Sequence, residues 1–127
     1  MFPRRAAILS LTMLIATVAA ISNTAAHALV MSSTPAANST VSAGTISITL
    51  TFNSRIDKKR SRVVVHTSDA QDLIVPITMD SSENVLRGDV VLAQAGAYQI
   101  RWQVLSRDGH ITRGIIPFAV GDVKATR

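Results

Sequence analysis

The sequence predicts an all-β sandwich. Three observations carry that expectation. Apolar and polar side chains alternate with period two from Thr45 onward. Polar and glycine-containing turns break the alternation at short intervals, and no segment after the N-terminal apolar run reads as a helix.

The elements follow in order. Leu29 to Ser33 is a short first strand. In the second, Ile46, Ile48, Leu50 and Phe52 share one face, with Thr45, Ser47, Thr49 and Thr51 on the other. Asn53 to Arg60 is polar and interrupts the pattern. Arg62 to Thr67 is short and β-branched, and Leu73 to Thr78 is a strand that Pro76 pushes toward a sheet edge, because proline has no N–H for a central ladder. Val85 to Leu92 follows a polar connection. Ala97 to Leu105 is the clearest strand, with Tyr98, Ile100, Trp102 and Val104 in phase and Trp102 as a packing anchor. Arg113 to Val120 closes the set through Ile116, Phe118 and Val120. Seven strands in about 100 residues predict an immunoglobulin-like Greek-key β-sandwich. Gly96 and Gly109 stand where tight turns are expected.

The N-terminal end does not fit that pattern. Arg4 and Arg5 precede an uncharged run from Ala6 to Ile21, and small residues follow at Thr24-Ala25-Ala26. A basic region, an apolar region and a small-residue exit make a secretory signal peptide over residues 1–26. The run falls short of the roughly 20 residues a membrane span needs, so a retained anchor is the lesser alternative. Cleavage after Ala26 leaves His27 as the first residue of a domain covering 27–127. Cleavage after Ala28 would remove that histidine.

The 127 residues contain no cysteine, which excludes disulfides, thiolate metal ligands and a cysteine nucleophile. Neither a P-loop nor a dinucleotide fingerprint occurs. Removing Arg4 and Arg5 from the 13 basic side chains leaves 11 against 8 acidic ones, a net charge of +3. The only basic cluster, Lys58-Lys59-Arg60-Ser61-Arg62, has no interleaved aromatic for base stacking, so no nucleic-acid partner is expected. It reads as a solvated turn between two strands.

Asp108 and His110 stand two apart, so in an extended segment both would project to the same side and could serve one metal ion. A histidine at the mature N-terminus adds two nitrogens, its α-amine and its imidazole. His27, Asp108 and His110 together give a nitrogen- and oxygen-rich set that suits Cu(II), which also heads the affinity series for such ligands. Without cysteine, a blue-copper thiolate centre is excluded.

At these residues the chain resembles the CopC-type (CopC/PcoC) periplasmic copper-binding proteins. His27-Ala28-Leu29-Val30-Met31-Ser32-Ser33-Thr34-Pro35-Ala36 is similar to the family's mature N-terminus, and Thr49-Leu50-Thr51-Phe52 to one of its strands. Gly96-Ala97-Tyr98-Gln99-Ile100-Arg101-Trp102 resembles its G-x-Y-x-V-x-W stretch. Val104-Leu105-Ser106-Arg107-Asp108-Gly109-His110 resembles its V-x-S-x-D-G-H signature, and Gly114 with Phe118-Ala119-Val120 its closing strand. The resemblance implies one Cu(II) ion held by His27, Asp108 and His110. Some members bind Cu(I) in a methionine-rich loop; here only Met31 and Met79 follow the leader, so no Cu(I) site is expected. His66, without methionine partners, reads as an ordinary strand histidine.

The resemblance implies a non-enzymatic periplasmic carrier or buffer in copper homeostasis and resistance, monomeric, exchanging copper with a CopD-type inner-membrane protein. Two other readings remain at this stage. A histidine-brace copper oxidase would share the N-terminal histidine, but the chain is small and shows no aromatic platform for a polysaccharide. A metal-free interaction domain would need no site at all.

Overall fold

The computed structural model describes residues 28–121, so the signal-peptide expectation and His27 lie outside the described residues. Eight strands form: β1 Val30–Thr34, β2 Thr40–Ser42, β3 Gly44–Phe52, β4 Ile56–His66, β5 Asp72–Val75, β6 Val85–Leu92, β7 Gly96–Ser106 and β8 Ile111–Gly121. They make two sheets, one of order β1-β3-β6 and one of order β2-β8-β7-β4-β5. Among the described residues there is no helix. The all-β sandwich expected from the alternation is the observed fold.

The core lies between the sheets because the alternation aims alternate side chains there. Ile46, Ile48, Leu50 and Phe52 of β3 meet Tyr98, Ile100, Trp102 and Val104 of β7, and all eight are buried. Phe52 packs edge-on to Trp102 with ring centroids 5.2 Å apart. Tyr98 stacks on Phe118 at 5.7 Å, and its hydroxyl donates to the carbonyl of Gln94 at 2.6 Å, tying the start of β7 to the preceding turn. Gly114 is required by Trp102: a Cβ at position 114 would come within 2.3–2.7 Å of three indole atoms. A side chain there would have to expel the ring that anchors the core.

Three differences from the sequence expectation have physical causes. The eighth strand, β2, is three residues long and pairs in parallel with β8. Its contribution is backbone pairing, and three residues carry too little side-chain pattern to announce it. The basic cluster Lys58 to Arg62 is not a turn between strands but an outward bulge within β4. Asp57 pairs with Leu105 and Arg62 with Gln103, so the residues between them outnumber those on β7. The buried Ser61 spans the bulge, donating from Oγ to the Asp57 carbonyl at 2.6 Å and accepting from the Leu105 N–H at 3.2 Å. Oδ1 of Asp57 accepts from the backbone N–H of Lys59 and Arg60. Finally, β5 ends at Val75, one residue before Pro76, as the edge strand of its sheet. The chain then crosses to the other sheet, where the Thr78 N–H bonds to the Arg87 carbonyl at 2.8 Å.

Candidate metal centre

β7 and β8 are joined by a turn, Arg107 to His110, and this turn carries both of the described residues expected to hold a metal. The Ser106 N–H bonds to the His110 carbonyl at 2.8 Å, and the Gly109 N–H to the Ser106 carbonyl at 2.9 Å. Gly109 has φ +89°, a region that residues with a Cβ rarely enter. Asp108 and His110 therefore meet across a tight turn. The sequence argument placed them on one side of an extended segment; their convergence is real, but it comes from the turn.

The contacts inside the turn define its chemistry. Oδ2 of Asp108 lies 2.9 Å from Nδ1 of His110, and Oδ1 accepts from the His110 backbone N–H at 3.2 Å. The buried Ser106 hydroxyl lies 2.5 Å from Oδ1 of Asp108 and 2.9 Å from the His110 carbonyl, and can donate to either. The Ser106 hydrogen bond is the main reason the Asp108 carboxyl falls to about 2. Desolvation opposes that fall, while the backbone N–H, side chain and charge of His110 assist it. Asp108 is thus ionised across the physiological range. Oδ2 and Nδ1 face each other, so a cation seated beside both could take them as ligands in place of their mutual contact.

The first described residues come to the same end of the sandwich. Ala28 is fully buried in the core. The Leu29 N–H donates to Oδ1 of Asn53 at 2.8 Å, and the Asn53 N–H returns a bond to the Leu29 carbonyl at 3.0 Å. Ser54 and Arg55, next along the chain, line a shallow cleft with Ser106, Arg107 and Asp108. The loop after β3 thus holds the entering chain with one residue and borders the Asp108 turn with the next two.

Among the described residues no third histidine, aspartate or glutamate joins Asp108 and His110. His66 stands apart, at the end of β4, with Nδ1 2.6 Å from Oδ1 of Asp72 on β5. It is the strand histidine the sequence suggested.

Two residues of the site went unassigned from sequence. Ser106 lies in the quoted signature, and its i, i+2 spacing to Asp108 was the available signal. Asn53 had no signal beyond being the first polar residue after an apolar strand, because its partner, Leu29, is 24 residues away.

Known proteins share this chain's domain and fold. The sequence model of the CopC domain matches residues 30–121. The copper transport protein CutJ of Bacillus subtilis (strain 168) is 26% identical over 99 residues, covering 76% of this chain and 18% of that protein. The chain therefore spans less than a fifth of that relative's length. Two solved structures share the fold. CopC from Methylosinus trichosporium OB3b superposes with TM-score 0.69 at 23% identity, covering 80% of this chain and all of that one. PcoC, a methionine-rich copper resistance protein from Escherichia coli, gives 0.60 at 24% identity, covering 76% of this chain and all of that one.

Proposed function

The chain belongs to the CopC family, and on that footing we propose that it binds one Cu(II) ion through the α-amine and imidazole of His27, the carboxylate of Asp108 and the imidazole of His110. In this reading it is a non-enzymatic carrier or buffer of copper homeostasis, secreted to the periplasm through a leader ending at Ala26. It exchanges its ion with a CopD-type inner-membrane protein.

The observation that carries the reading is the meeting of two features at one end of the sandwich. One is a turn that holds an ionised Asp108 against an oriented His110. The other is a chain entry, at Ala28 and Leu29, fixed by the loop that borders that turn. The donor set fits the ion: imidazole and amine nitrogens with one carboxylate suit Cu(II) above the other divalent metals. Cu(I) prefers soft sulfur ligands. Where PcoC is methionine-rich, this chain has only Met31 and Met79 after residue 26.

Copper titration of the secreted protein tests the reading. One Cu(II) per chain is expected, bound far more tightly than Zn(II) or Ni(II), with protons released as the α-amine and imidazoles give up theirs. Intact mass should begin at His27. A start at Leu29, or a Cu(I) site of comparable strength that depends on Met31 or Met79, would refute it.

A further inference from the structure

The outer face of the five-stranded sheet carries a second feature, which does not rest on the copper reading. The ladders place its side chains in rows across the strands. Arg62 of β4, Gln103 of β7 and Arg113 of β8 form one row. Ile74 of β5, Val64, Arg101 and Ile115 form the next. All of these except Ile74, which stands at the sheet edge beside them, line an open cleft of about 480 Å³.

Three guanidinium groups thus share one face, and none forms an ion pair among the described residues. Arg101 and Arg113 have neutral partners. Arg113 donates from Nε to Oε1 of Gln103 at 2.8 Å, and Arg101 donates from Nε and Nη2 to Oε1 of Gln99 at 3.2 and 3.1 Å. A glutamine oxygen steadies a guanidinium without cancelling its charge, and the remaining N–H groups can still grip a carboxylate. The one carboxylate beside the cleft, Asp72, is engaged by His66. By contrast, Arg55 pairs with Glu83 at 2.8 Å elsewhere on the surface. Apolar surface accompanies the charge: Ile74 and Ile115 are 77% and 58% exposed.

The geometry points to this face as the docking surface for an acidic, extended segment of a partner protein, with carboxylates on the arginines and small aliphatic side chains between them. Side chains two apart on an extended segment repeat about every 6.6 Å, the same spacing as Arg101 and Gln103 positions along β7. A second copy of this chain fits poorly, since two such faces repel, and the outer face of the other sheet carries Asp89 beside Arg87. A lipid surface fits less well, because the cleft has no lysine and its one indole, Trp102, is buried in the core. Arg113 lies three residues along β8 from His110, so an acidic partner seated here would lie beside the β7–β8 turn.

The test is NMR titration of the mature protein with the capped synthetic peptide Val-Glu-Val-Glu-Val-Glu-Val, following arginine Nε–H and isoleucine methyl signals. Saturable shifts are expected at Arg62, Arg101, Arg113, Ile74 and Ile115, and not at Arg55, Arg60 or Arg87. The triple variant Arg62→Gln, Arg101→Gln, Arg113→Gln should weaken binding at least about tenfold, and Arg113→Gln alone by a few-fold. Cu(II) affinity should stay within about twofold of the native value, which separates failure of this proposal from failure of the copper site. Equal shifts at every arginine would overturn it, as would free glutamate acting as strongly at matched carboxylate concentration. So would self-association through this face, or binding to phosphatidylglycerol vesicles that the triple variant abolishes while the peptide fails to bind.

Discussion

The described residues include two histidine–aspartate pairs of similar closeness, and they differ in everything around them. His66 and Asp72 are cross-strand partners on β4 and β5, 2.6 Å apart, with the His66 side chain 24% exposed. His110 and Asp108 meet in a turn at 2.9 Å, with the His110 side chain 58% exposed. Among the described residues, the Asp72 carboxylate bonds only to His66. The Asp108 carboxylate also receives the Ser106 hydroxyl and a backbone N–H, which hold it ionised down to about pH 2. The first pair closes on itself as part of a sheet. The second is fixed from behind and sits where the loop after β3 brings in the start of the described chain. On the proposed function, what sets the second pair apart is its fixed position beside the incoming chain, and not the closeness of imidazole to carboxylate.

That contrast is sharpened by removing one side chain at a time. The largest expected effect is His110→Ala, which deletes a proposed nitrogen ligand and should lower Cu(II) affinity by about 100-fold or more in chelator competition. Asp108→Asn should cost about tenfold, since it removes the carboxylate while leaving most of the turn in place.

The pH profile separates the donors. The Asp108 carboxyl lies below its ordinary value of 3.8, so its charge, and the turn contacts that depend on it, persist above that value. They are lost only as pH falls toward about 2. The fall in apparent Cu(II) affinity as pH drops through neutrality should therefore follow protonation of the nitrogen donors, among them the α-amine, whose ordinary value is about 7.7–8.0. Asp108→Asn should keep the same pH dependence of affinity over that range at a lower overall affinity. The smallest effect belongs to the other pair: His66→Ala should leave Cu(II) affinity within about twofold, and a larger loss would mean the two pairs are not functionally distinct.

The same contrast shows what the sequence could and could not reveal. Alternation is a local property, and it located β3, β7 and β8 with their buried faces because every second side chain there meets the core. It failed at the β4 bulge, where the extra residues between Asp57 and Arg62 break the period while Ser61 keeps the strand continuous. It also failed at β2, which is held through the β8 backbone. At the site, Asp108 and His110 lie two residues apart and their motif exposed them, whereas Ser106, in the same stretch, went unassigned. Asn53 acts on Leu29 across 24 residues, and no local pattern encodes such a contact.

The account's central claim is that the start of the mature chain and the β7–β8 turn share one copper ion, with the α-amine of His27 as a ligand. Comparing the protein that begins at His27 with one carrying a single additional glycine before it tests this most directly, because the imidazole is kept while the amine is displaced. Cu(II) affinity is expected to fall by about 100-fold in the extended protein, and the nitrogen hyperfine pattern in its EPR spectrum should change. Equal affinity with an identical spectrum would contradict the claim and require a site built on His110 without the amine.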